Sequence, residues 1–120
     1  NIKKKYPHIP IIGFPRNVDA LYPDYVKNVN IDCLSVDQSI NIKKLLDNLI
    51  INKSRNSCFQ GNLDPEILLH GGNNLINSTK NILEKFSSVN HIFNLGHGVI
   101  KERPVKNIDL LIKTIREWKK

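Results

Sequence analysis

The sequence predicts an α/β fold in which parallel strands alternate with helices packed against them. Three observations lead there. Short apolar runs rich in β-branched residues stop at turn residues. Longer segments between them carry apolar residues at helical spacing. The alternation occurs four times in 120 residues, at about 30 residues per unit, the usual length of a strand–helix pair.

In the first unit, Ile9-Pro10-Ile11-Ile12-Gly13-Phe14 reads as a buried strand ending at Pro15. A polar turn at Asn17 and Asp19 follows. Leu21, Tyr25 and Val29 then recur every four residues, and Pro23 falls early enough for a helix to tolerate it. The second strand is Ile31-Asp32-Cys33-Leu34-Ser35-Val36, stopped by Asp37. Ser39 or Asn41 can cap the next helix, whose face is Ile42, Leu45, Leu46, Leu49 and Ile50. That is the clearest amphipathic stripe in the chain.

The third strand is placed at Ser57-Cys58-Phe59, with Gln60-Gly61-Asn62 as the loop after it. Asp64 before Pro65 is a helix start, a capping carboxylate followed by proline at the first helical position. Gly71-Gly72 turns the chain into a longer helix carrying Leu75, Ile76, Ile82, Leu83 and Phe86. The fourth strand, His91-Ile92-Phe93-Asn94-Leu95, leads into Gly96-His97-Gly98. Its helix starts near Pro104 and places Val105, Ile108, Ile112, Ile115 and Trp118 on one side. Two parallel architectures fit four such units. One is a complete doubly wound domain, the other half of an eight-stranded barrel whose full form runs to about 250 residues.

At 13.8 kDa the chain holds one domain at most. With 40% hydrophobic and 24% charged residues, wholesale disorder is excluded. The chain opens on Asn1 and contains no Met, so it reads as trimmed or as a piece of something larger. Eighteen Lys and Arg against eleven Asp and Glu give +7. The cations are scattered, and no basic stripe with interleaved aromatics marks a nucleic-acid surface. Ile, Asn and Lys make up 47 residues, a bias that points to an AT-rich genome and weakens charge as a clue. Cys33 and Cys58 are too few for a disulfide framework and read as buried reduced thiols. No apolar run approaches the roughly 18 residues that span a bilayer, and no secretory signal stands out. The expectation is a soluble cytoplasmic protein with no nucleic-acid or membrane partner.

Both architectures place function just after the strand carboxyl ends. His97 between two glycines is the most informative residue there. The glycines let a ligand approach the backbone closely, and an imidazole titrates near neutrality, so it can donate to a carboxylate or exchange a proton. The bland alternative is a turn in which His97 is incidental. Gln60 and Asn62 carry neutral donors and acceptors and read first as groups that satisfy loop backbone. Asp37 is an acid–base candidate or an organiser of a neighbouring loop. Arg16 is an anion holder or a solvated charge. His8, His70, His91 and His97 lack close ligand spacing and neither cysteine has a CxxC partner, so no metal site is expected. Phosphate-loop, dinucleotide and serine-elbow signatures are absent as well.

Gln60-Gly61-Asn62-Leu63-Asp64-Pro65 followed by Phe93-Asn94-Leu95-Gly96-His97-Gly98-Val99 closely resembles the C-terminal part of the uroporphyrinogen decarboxylase family. Ile11-Ile12-Gly13-Phe14-Pro15 and Leu34-Ser35-Val36-Asp37 are similar to its two preceding strands. The resemblance runs from about Tyr6 to Trp118. It implies that residues 1–120 form a single partial domain, the C-terminal half of a (β/α)8 TIM barrel with four βα units. It also implies removal of carbon dioxide from the four acetate arms of uroporphyrinogen III to give coproporphyrinogen III, without metal or organic cofactor. His97 would be the catalytic and substrate-binding residue, and the complete enzyme a homodimer. The family's other key groups lie upstream, so the isolated chain is expected to be inactive. Two mouth segments depart from the family pattern: Arg16-Asn17-Val18-Asp19 replaces a glycine-rich turn, and Asp37-Gln38-Ser39 an Asp–aromatic–Thr. Two rivals remain: an inactive half-barrel that pairs with another chain, and a corrinoid-linked methyltransferase, whose zinc-binding cysteine has no counterpart at Gly96-His97-Gly98.

Overall fold

The computed structural model describes residues 1–51 and 58–119. The elements are α1 (Ile2–Lys5), β1 (Ile12–Gly13), a 3-10 turn (Asp19–Leu21), α2 (Tyr22–Asn28), β2 (Cys33–Ser35) and α3 (Ile42–Ile51). They continue with β3 (Cys58–Leu63), α4 (Pro65–His70), α5 (Gly72–Lys85), β4 (Asn90–Leu95) and α6 (Val105–Glu117). All strand pairs are parallel, in the order β1-β2-β3-β4. A doubly wound sheet reverses its strand order at a switch point. This sheet never reverses, so its topology is that of consecutive barrel units.

Alternation along the strands divides the sheet into two faces. Leu34, Val36, Phe59 and Leu63 point to the helices and are fully buried with Leu45, Leu49, Leu68, Leu75 and Phe86. The other face carries Cys33, Ser35, Gln60 and Asn62, and Gln60 Nε2 donates to Ser35 Oγ at 3.1 Å. Helix ends follow the expected chemistry. Asp64 accepts the Glu66 N–H at 2.9 Å with Pro65 behind it, and Asn41, rather than Ser39, accepts the Lys44 N–H at 3.0 Å. Ile42, Leu45, Leu46 and Leu49 are buried as expected; the side chain of Ile50, and Ser57 altogether, lie outside the described residues.

Five elements differ from the sequence expectation. The second strand is three residues, Cys33–Ser35, rather than six. The first strand is two residues long rather than six. Ile9, Ile12 and Phe14 are exposed rather than buried, because only β2 flanks β1 and the described chain has no layer across the inner face. In α2 the buried residue is Tyr22, whose hydroxyl donates to the Pro15 carbonyl at 3.4 Å, while Leu21 and Val29 face solvent. Gln60-Gly61-Asn62 belongs to β3 instead of the loop beyond it: six residues pair with β4, from Cys58 opposite Asn90 to Leu63 opposite Leu95. Cys33 is buried, but Cys58 only partly.

The last difference is the rotation of α6. Its buried residues are Asn107 and Thr114, with Ile108, Leu110 and Leu111 packed against the core, while Val105 and Ile112 are exposed. The polar pair is buried because each is satisfied. Asn107 Nδ2 donates to the Leu68 and Leu69 carbonyls, both at 2.9 Å, at the end of α4. Thr114 Oγ1 donates to the Leu110 carbonyl at 2.8 Å. Gly71 makes this approach possible, since a Cβ there would collide with the Asn107 amide.

Candidate active site

The mouth is built where β2, β3 and β4 end. Backbone bonds bring the strand ends level: Val36 N–H to the Gln60 carbonyl at 2.9 Å, and Gly96 N–H to the Leu63 carbonyl at 2.7 Å. Gly96 is buried against Gln38, and a side chain at Gly96 would overlap the Gln38 backbone. The glycine before His97 therefore serves contact between two mouth loops.

Asp37 is the centre of the arrangement. It is buried, and its carboxylate accepts the Asn17 N–H at 3.0 Å, the Ser39 N–H at 3.0 Å and the Ser39 hydroxyl. Its carbonyl accepts Asn62 Nδ2 at 2.9 Å. Burial pushes the Asp37 carboxyl up, but the Ser39 hydroxyl, the two N–H groups and the Arg16 charge outweigh it, and the group sits below the usual carboxylate range. A carboxylate with this many donors is an organiser. Between the two roles left open for Asp37, this geometry is that of the loop organiser.

Asn17 adopts a left-handed φ of 54°, a conformation in which asparagine is among the tolerated non-glycine residues. The loop makes its turn with an asparagine whose N–H is tied to Asp37. Arg16 stays on the surface, close enough to influence Asp37.

His97 follows directly, partly exposed between buried Gly96 and exposed Gly98. Its Nδ1 lies 2.9 Å from the Gly98 carbonyl. A carbonyl only accepts, so Nδ1 carries a proton there. Nε2 has no hydrogen-bond partner among the described residues, so the ring is oriented by its own loop and presents one nitrogen. Asn94 stands opposite Asn62 in the β3–β4 register. The mouth thus brings together Arg16, Asn17, Asp37, Gln38, Ser39, Asn62 and Gly96, with His97 adjoining. Gln60 is set apart, deeper on the inner face beside Ser35. The Asn62–Asp37 and Gln38–Gly96 contacts carry no local sequence signal beyond the glycine itself.

Among the described residues no three His, Cys, Asp or Glu side chains group as a metal-binding cluster, and no helix is long and apolar enough to cross a membrane.

The model of the uroporphyrinogen decarboxylase (URO-D) family matches residues 1–118. A uroporphyrinogen decarboxylase of Cereibacter sphaeroides (strain ATCC 17025 / ATH 2.4.3) is 40% identical over 115 residues, 96% of this chain and 33% of that relative. Those of Orientia tsutsugamushi (strain Ikeda) and Rhodobacter capsulatus are each 36% identical, over 98% and 97% of this chain and again 33% of the relative. The chain therefore spans about a third of the length of these curated relatives. With the match to the family model running almost from end to end, and with consecutive parallel βα units beneath it, the chain belongs to the uroporphyrinogen decarboxylase family.

Proposed function

We propose that this chain supplies one side of the mouth of a uroporphyrinogen decarboxylase, with His97 as its catalytic, substrate-contacting residue. The observation that carries this reading is the presentation of His97: Nδ1 held at 2.9 Å from the Gly98 carbonyl, and Nε2 without a hydrogen-bond partner among the described residues. Loss of carbon dioxide from an acetate arm leaves an electron pair on the arm's remaining carbon, and a proton has to be delivered there. Protonated at Nε2, His97 can hold a substrate carboxylate or give up that proton; deprotonated, it can take one. A substrate with eight carboxylates also suits a chain of charge +7. The reaction, conversion of uroporphyrinogen III to coproporphyrinogen III in haem synthesis, needs no metal or organic cofactor in this reading. It belongs to a complete cytoplasmic homodimer, and the isolated chain is inactive.

The test joins this chain to the remaining two-thirds of the Rhodobacter capsulatus relative and follows uroporphyrinogen III by chromatography of its partly decarboxylated products. The chimera is expected to turn over, the 120-residue chain alone not to, and His97→Asn to slow the chimera by roughly 100-fold or more. Full activity of the His97→Asn chimera removes the role of His97. A folded chimera with no turnover overturns the decarboxylase reading.

One observation favours a second reading, a half-barrel without turnover that pairs with another chain. Ile12, Phe14 and Ile92 are 47%, 42% and 44% exposed, apolar side chains of β1, its exit and β4. Co-purification of this chain with a separate polypeptide bearing the other barrel units, without product formation, would support it.

A further inference from the structure

The strongest unassigned chemistry lies at the opposite end of the strands from His97. Leu34 pairs with Phe59 and Ser35 with Gln60, so one step back along the same parallel register sets Cys33 beside Cys58. Alternation puts both cysteines on the face that holds Ser35 and Gln60, whose side chains do touch, at 3.1 Å. Neighbouring strands lie about 4.8 Å apart, inside the roughly 4.4–6.8 Å between Cα atoms that a disulfide spans. Both thiols are free, and their exposure differs. Cys33 is 4% exposed while Cys58 is only partly buried.

The geometry points to a covalent redox site at the base of the sheet: Cys33 and Cys58 form a cross-strand dithiol that a small disulfide oxidises to an intramolecular cystine. Cys58, the accessible thiol, enters first. Its thiolate attacks one sulfur of R–S–S–R, forming Cys58–S–S–R and releasing R–S⁻. Cys33 then loses its proton to solvent, as Cys58 did before it, and its sulfur attacks Cys58 Sγ. The Cys33–Cys58 bond forms, the second R–S⁻ leaves, and the two R–S⁻ groups take up two protons from water. The protein loses two electrons and two protons, and the small disulfide becomes two thiols.

The order of events follows from the environments. Burial first, and then the hydrogen bond and charge of Cys58, push the Cys33 thiol up to about 12. Cys33 therefore keeps its proton while Cys58 is free. Once Cys58 is capped, its contribution disappears and only burial still holds the Cys33 proton. Proximity favours the second attack over dissociation. The bridge would bind β2 to β3 at the base, as Asn62 and the Asp37 carbonyl bind them at the mouth.

The test is incubation of the native chain with glutathione disulfide, followed by thiol counting and peptide mapping. The expected product is a monomer with no free thiol and a Cys33–Cys58 peptide, reversed by dithiothreitol. Cys33→Ala should stop at a stable glutathione adduct on Cys58, and Cys58→Ala should leave Cys33 unmodified. A lasting glutathione adduct on Cys58 in the unsubstituted chain overturns the proposal. So does a disulfide between two chains, or a chain that stays fully reduced. If either variant fails to fold, the products of the unsubstituted chain alone distinguish these outcomes.

Discussion

β1 pairs with β2 over two residues, while β3 pairs with β4 over six. Around the long pair, Phe86 stacks on Phe59 and on His91, and His91 meets Phe93 edge to face, with ring centroids 5.9, 4.2 and 5.8 Å apart. Asn107 ties α6 to the end of α4 with neutral hydrogen bonds. Around the short pair, two carboxylates do much of the fastening. Asp32 accepts the Ile11 N–H at 2.7 Å and pairs with Lys3 at 2.7 Å, and Asp37 gathers Asn17 and Ser39. The rear units rest mainly on apolar packing and satisfied amides. The front edge, where β1 is two residues long and Ile12 is exposed, leans on charge-assisted bonds to loop backbone. The two regions should respond differently to truncation, to acid and to salt.

The largest contrast is expected from side-chain truncation. Phe59→Ala should destabilise the chain by about 3–5 kcal/mol in urea unfolding, whereas Ile12→Ala should stay within about 0.5 kcal/mol. Equal losses would break the comparison.

Next come the two polar organisers. Asp37→Asn and Asn107→Ala should each cost about 1–3 kcal/mol, because each strips partners from backbone groups. Their footprints should differ in amide hydrogen exchange. Asp37→Asn should speed exchange at Asn17 and Ser39 and leave β3–β4 protected. Asn107→Ala should loosen the α4–α6 contact and leave the mouth unchanged. A global rise in exchange for Asp37→Asn would show that the front is not separately fastened.

Acid separates the regions by pH window. Burial lowers His91 from its ordinary 6.5, against the opposing bond from Nε2 to the Gly61 carbonyl. Its folded form therefore binds fewer protons than its unfolded form. The associated stability is complete above about 6.5, falls as pH drops from there to the folded value, and then levels. His91→Phe should flatten that segment of the stability profile. Asp37, lowered despite its burial, and Asp32, lowered chiefly by the Lys3 bond and then the Ile11 N–H, both lie below 3.8. Their stability is present above that value and is lost as pH falls through the folded values. The front should thus persist through the His91 transition and open at more acid pH.

The smallest effect is expected at Asp32, which is exposed. Asp32→Asn should change unfolding slightly at low ionic strength and less at high salt, where an exposed pair is screened. An effect as large as that of Asp37→Asn would mean that exposure is no guide to the strength of the front contacts.

Periodicity was a good guide where one force dominates. The Ile42–Leu49 stripe and the Asp64-Pro65 start lie where local pattern places them because burial and capping act within a few residues. It failed at α6 because Asn107 and Thr114 are polar by type and yet satisfied, one by carbonyls thirty-eight and thirty-nine residues away. A hydropathy pattern holds no record of such partners. It overextended β1, whose burial depends on neighbours the described chain does not contain. In the mouth, the position of His97 in the turn after β4 and that of Asp37 at a strand end were legible from sequence. The set of donors that Asp37 serves was not, since Asn17 and Asn62 reach it from twenty and twenty-five residues away.

One carboxylate thus sits at the junction of two mouth segments, 16–19 and 37–39. The left-handed turn at Asn17 is held by the same group that fixes Ser39. Neither segment is free to change by itself: a substitution at Asn17 alters what Asp37 restrains, and replacing Asp37-Gln38-Ser39 releases the turn. The two loops are thus coupled through one side chain, and a substitution in either is felt in the other.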